Sequence, residues 1–190
     1  MKKGRLIIGS IIILLVVLIT AIVLYIRPSR TLDMNYSELN WKNKLVEMVE
    51  SRNTELTLTE SDVNNLLKKG LTEYVAEHDL PFQIIGADFK LNGNQIIANM
   101  NGAWGLVNFG ATAKYSVEYA DGTLLLNPSS VEVRNISISP ERIGLEAMTI
   151  HLTDYIPKLV TINEVNFPGK AIQIKFTLDL LELFNYLQSS

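Results

Sequence analysis

Acid–base, nucleophilic or metal chemistry in this chain would have to start from two histidines and a few paired carboxylates, because it contains no cysteine. His78 stands beside Asp79 in a segment, His78-Asp79-Leu80-Pro81, that ends a helical pattern, which reads as a solvated turn. His151 has Asp154 at i+3 and Glu146 at i−5; only the first shares a helix face, and two ligands do not close a zinc site, which needs three or four. Glu141 with Glu146, and Asp179 with Glu182, read as solvated element ends rather than as a general acid and base. There is no His-Glu-x-x-His, no Gly-x-Ser-x-Gly, no phosphate-cradling glycine loop and no Asp-rich calcium loop. Asn35-Tyr36-Ser37 and Asn135-Ile136-Ser137 match the glycosylation sequon, a pattern short enough to arise by chance. The expectation is a protein that is not an enzyme and needs neither metal nor cofactor.

Apolar residues offer a different chemistry. Ile84, Phe89, Met100, Phe109, Tyr115 and Met148 read first as core, and their functional reading is the wall of a groove for a lipid tail; Trp104 joins that set and equally suits the rim of a partner surface. A scaffold that binds another envelope protein through a sheet edge or a wet face is the alternative.

Charge and hydropathy say where such a site would stand. Seventeen basic residues face twenty acidic ones, for a net charge of −3; five of the basic residues lie in the first 30, so the remainder carries −8. An acidic body lacks the basic footprint that nucleic-acid recognition needs. Residues 6–26 contain no charged side chain. At ~1.5 Å per residue this run makes about 31 Å of helix, enough for one span of a ~30 Å hydrocarbon core. It is longer than a signal-peptide core and exits through Tyr25-Ile26-Arg27-Pro28 rather than a small-residue cleavage site. Lipoprotein processing would need a cysteine, and a type IV pilin leader would need an early acidic residue where Arg5-Leu6-Ile7-Ile8-Gly9 stands. Lys2, Lys3 and Arg5 crowd the short tail, against Arg27 and Arg30 beyond the run. The positive-inside rule then predicts a single-pass signal anchor in the cell membrane, with residues 1–5 cytoplasmic, 27–36 a linker and 37–190 an extracytoplasmic domain.

The outer domain reads as α+β. A helix is expected over about 37–52 and a short strand over 55–58. A second helix is opened by Thr59 and Asp62 and carries Val63, Leu66, Leu67, Leu71, Tyr74 and Val75 at helical spacing. Gly70 inside it marks either a weak point or a close backbone contact. Strands follow: 82–91 and 95–101 form a hairpin around Asn92-Gly93-Asn94, with a bulge near Gly86 where apolar parity shifts. Alternation then continues over 103–119, long enough to demand a bend or break near Gly110, and returns over 123–138 after Asp121-Gly122. Ser139-Pro140-Glu141 predicts a third helix lined by Ile143, Ala147 and Ile150, and 159–165 with 171–180 a second hairpin. These elements assemble into a long, curved antiparallel sheet wrapped over amphipathic helices, with Ala103, Gly105, Ala111 and Ala113 leaving room on the concave face.

The order of these features resembles a known family. A single N-terminal span, the segment Leu56-Thr57-Leu58-Thr59-Glu60-Ser61-Asp62-Val63-Asn64-Asn65-Leu66-Leu67, long paired strands, Ser137-Ile138-Ser139-Pro140 and a late strand pair after Pro157 look like the YpmS-like family of Gram-positive bacterial membrane-anchored proteins, over essentially the whole chain. The resemblance brings no catalytic residue with it. More distantly, the helix leading into a rolled sheet is similar to the tubular lipid-binding domains of bacterial envelope proteins, which implies an apolar ligand cavity.

Overall fold

A computed structural model describes residues 2–40, 43–44, 46, 55–143, 145–152 and 160–178, with side chains of the first helix described from Ser10 onward. That helix, α1, is continuous over Lys2–Ile26, 25 residues, or about 37 Å. The part with described side chains is shorter, and among the described residues no helix is long and apolar enough to cross a membrane. Ile11 to Ile19 are all exposed, so no side of this stretch is packed on the rest of the chain. The helix expected over 37–52 falls mostly outside the described residues.

Strand β1 (Glu55–Thr59) runs straight into helix α2 (Glu60–Glu77) through a complete capping box. The Thr59 hydroxyl accepts the Asp62 N–H at 3.2 Å, and the Asp62 carboxylate accepts the Thr59 N–H at 2.9 Å. Asp62 proves an adequate third-position partner. Burial alone would raise its pKa, but the Thr59 backbone, the Lys44 ammonium and the Thr59 hydroxyl together hold it below the usual carboxylate range. Gly70 has open space around it and the helix passes through unbroken, so no close contact explains it.

Strands β2 (Gln83–Asn92), β3 (Gln95–Trp104), β4 (Val107–Ala120), β5 (Thr123–Val133) and β6 (Ile136–Ile138) follow in order as a curled antiparallel sheet, with β7 (Met148–His151) beside β6 on the same edge of β5. Strands β1, β9 (Ala171–Leu178) and β8 (Val160–Asn166) form a three-stranded sheet. The architecture is α+β, with the hairpins at 93 and 169 and the bulge between Ile84 and Gly86 where alternation places them.

Three expectations are corrected. The long alternation does not break near Gly110. The chain turns at Gly105-Leu106, where Gly105 takes φ +60° at the first central position of a two-residue hairpin. Gly105 therefore lies in a turn, and Ala103 lies on the outer face with its register partner Asn108, leaving only Ala111 and Ala113 of the small residues on the inner face. The third helix is a single 3-10 turn, Pro140–Ile143, closed by the Leu145 N–H on the Pro140 carbonyl. Beyond it, Met148–His151 extend to pair with Leu126–Thr123. An open stretch of β5 outweighs helical propensity there.

Helix α2 also departs from a central position under the sheet. It lies along β2, with further contacts to β1 and β9. Its polar side solves an edge-strand problem. The Leu91 N–H donates to the Glu60 carboxylate at 3.0 Å and the Phe89 N–H to Asn64 Oδ1 at 2.8 Å. The Ala87 N–H is taken by the Asp33 carbonyl at 3.1 Å. Lys68, whose Nζ lies 3.1 Å from the Asp33 carboxylate, completes the i, i+4, i+8 row. The stripe of α2 next to this row gives Val63, Leu66 and Leu67 to the core.

Candidate functional site: the α1 end of the sheet

The segment that leaves α1 crosses the sheet at right angles to the strands. Register places Gly86 opposite Asn101 and Asn101 opposite Gly110, so the three share one row and one face. Pro28 sits on Gly110, where a Cβ would come within 3.0 Å of its Cα, and at Gly86 a Cβ would collide with the Leu32 backbone. Between them Asn101, 5% exposed, donates from Nδ2 to the Arg30 carbonyl at 2.9 Å. Arg30 continues to Asp88 at 2.7 Å. Residues 28–33 thus form a strap seated in a trough made by two missing side chains and one amide.

The strap begins at a tight joint. Arg134 turns β5 into β6 with φ +58°, a left-handed conformation that costs a non-glycine residue about 1 kcal/mol. Its guanidinium donates to the Tyr25 carbonyl at 2.9 Å and the Arg27 carbonyl at 2.7 Å, capping the end of α1 with a positive charge. The sheet therefore grips the helix at its last turn.

The inner face changes along its length. At the far end, Leu91, Ile96, Ala98, Ala113, Tyr115, Val117, Leu124 and Leu126 are all buried, and burial pushes the Tyr115 hydroxyl's pKa up. Toward the row that carries the strap, Ile84, Met100, Phe109 and Ala111 are only half-buried. The Phe109 ring lies on Gly102, where any side chain would collide with it, and meets Phe82 edge-on at 5.4 Å.

The seven residues expected to bind a lipid do not gather in one channel. Phe89 and Tyr115 pack in or against the far core, and Met100 reaches it from the half-open end. Ile84 and Phe109 stand at the half-open end, both beside Gly102. Trp104, 69% exposed, sits at the β3–β4 turn, and Met148 is exposed on β7. An open cleft of about 260 Å³ lies elsewhere, between the 37–44 segment and α2, and its lining includes Glu38, Asn40, Lys44 and Asp62 rather than any of the seven.

The polar candidates are engaged locally. His78 stacks on Tyr74 at 4.1 Å and hydrogen-bonds its carbonyl through Nδ1. His151 Nδ1 meets the Thr123 hydroxyl across β5 and β7 at 3.2 Å. The Glu141 carboxylate accepts from the Ser139 hydroxyl, which holds its pKa below the usual range. Among the described residues, no three metal-binding side chains converge. Asp154, Asp179 and Glu182 lie outside them. Sequence reasoning found the bulge at Gly86 but missed what uses it. Asn101 and Arg134 carried no signal and Gly110 pointed to a break in the strand, because only strand register shows that Asn101 and Gly110 meet the strap.

Compared with family models, curated proteins and solved structures, the chain shows no significant match.

Proposed function

We propose that this protein is a membrane-anchored, non-enzymatic extracytoplasmic domain that holds a lipid or other apolar envelope component against the inner face of its sheet. Helix α1 is the anchor, with its N-terminus cytoplasmic. Its continuous backbone, the absence of charge over 6–26 and the exposure of consecutive residues around its whole circumference support a helix solvated by lipid. The only polar side chain in the described middle of the run after Ser10 is Thr20, whose hydroxyl is satisfied by the Val16 carbonyl at 2.8 Å. The resemblance to tubular lipid-binding domains points the same way.

The observation that carries the ligand reading is the gradient of the inner face, closed at the far end and half-open around Ile84, Met100, Phe109 and Ala111 next to the anchor. An acyl chain entering there would meet apolar walls and a small-residue floor. Extraction of the full chain from membranes, followed by mass spectrometry of bound lipid, tests this. The expected result is a lipid enriched over the bulk membrane and lost in Ala111→Phe, which puts a large side chain on the inner face at the half-open end. Bulk composition in both proteins would overturn it. A docking role for another envelope protein is favoured by β8, an outer strand of its sheet with Thr161, Asn163 and Glu164 exposed. It predicts crosslinks through β8 and no bound lipid.

A further inference from the structure

Of the nine large apolar side chains exposed beyond α1 among the described residues, five gather at one end of the sheet; the others are Tyr36, Tyr74, Ile143 and Met148. Phe82 (38% exposed) precedes β2, Ile85 (41%) is in its bulge, Trp104 (69%) and Leu106 (103%) form the β3–β4 turn, and Ile136 (52%) begins β6. The antiparallel order puts the start of β2, the end of β3, the start of β4, the end of β5 and the start of β6 at one end of the sheet. That is the end gripped by Arg134 and crossed by Pro28.

We propose that this end of the sheet, led by Trp104 and Leu106, lies in the interfacial layer of the bilayer that α1 enters. The inference rests on α1 being the anchor and goes beyond it. Pro28 follows the last helical residue by two positions, so the row through Gly110 stands at the membrane surface. From that row β4 continues to Ala120, about 33 Å away at ~3.3 Å per residue. In the other direction Val107 is only three residues off, about 10 Å. The bulk of the body must stay in water, so the short side faces the lipid. The sheet cannot instead lie flat on its outer face, which carries Asp88, Asn99, Thr112, Lys114 and Glu132. Tryptophan suits this depth because its ring is apolar and its N–H can meet a headgroup. A turn offering Leu106 wholly to solvent is otherwise an unexplained cost. Arg27, Arg30 and Arg134 at this end are partly offset by Glu77, the last residue of α2, and Asp79 just beyond it, and Arg30 is already paired with Asp88. Net anionic lipid is therefore not required.

The test uses the full chain in phosphatidylcholine vesicles. Trp41→Phe leaves Trp104 as the single tryptophan. The expected result is strong quenching by lipids brominated near the headgroup and protection from aqueous iodide. A tryptophan placed at the far turn (Asn94→Trp, with Trp41→Phe and Trp104→Phe) should show the reverse. Extraction with alkaline carbonate separates the two claims. Release of the protein would overturn the anchor itself. Retention with Trp104 open to iodide, or shielded from iodide but unreached by brominated lipid because protein covers it, would overturn only the interfacial placement.

Discussion

At the far end of the six-stranded sheet the turns are Gly93-Asn94 and Asp121-Gly122, and the inner face above them is closed by Ile96, Tyr115, Val117 and Leu124. At the end that meets α1 the turn presents Trp104 and Leu106 to the outside, and Ile84 and Phe109 are left half-covered. The same strands run through both ends. What differs is which residues alternate onto the inner face and which partner each end meets. One end follows the rules of a globular core in water, and the other keeps apolar surface open where a helix, a strap and three arginines gather.

That difference can be broken or sharpened by substitution. The largest effect belongs to the closed end: Leu126→Ala should cost about 2–5 kcal/mol in denaturant unfolding, because a buried leucine leaves both lost transfer energy and a cavity. Ile84→Ala, at the half-open end, should cost less than about half as much, since less area leaves contact with the protein. Equal costs would erase the distinction. Next comes the trough. Gly86→Val forces the strap away and should cost about 1–3 kcal/mol, with faster tryptic cleavage after Arg30. Gly70→Ala, with open space around it, should instead stabilise by about 0.5–1 kcal/mol. At the β2 edge, Asn64→Ala leaves the Phe89 N–H to water and should cost about 1 kcal/mol.

The smallest effect is pH-dependent. Asp62 has a folded pKa below its unfolded one, so its contribution is fully present above the ordinary carboxylate value of about 3.9 and is lost as pH falls through the lower folded value. Asp62→Asn should be less stable at neutral pH and should flatten the acid limb of the stability curve. An unchanged acid limb would mean that the capping box contributes nothing.

Local patterns were legible wherever one residue type has one physical use. Thr59 with Asp62 opened α2, Asn92-Gly93 and Asp121-Gly122 turned hairpins, and the parity shift at Gly86 marked a bulge. Long-range demands were not. The odd-position pattern of β4 reads back through Gly105 to Ala103 because small residues stand at both, although the inner face lies on even positions up to Trp104 and on odd ones from Val107, the one-residue shift that a two-residue turn produces. Pro140 and Glu141 began a turn that looked like a helix start, but pairing with β5 took the residues beyond it. Glu60 and Asn64 stand in the segment that resembles a family signature, and their visible work, continued by Lys68, is to close a sheet edge. The candidate site was legible only in composition. Residues chosen for apolar character came from both ends of the sheet, since sequence does not say where along a strand the inner face ceases to be covered.

Everything in the functional reading depends on α1 staying in the bilayer with the sheet outside the cell. The absence of cysteine makes this directly measurable. In intact cells expressing the full chain, a membrane-impermeant maleimide should label Asp121→Cys at the far turn, and should label Lys3→Cys only after permeabilisation. Labelling of Lys3→Cys in intact cells, or of Asp121→Cys only after permeabilisation, would contradict the account.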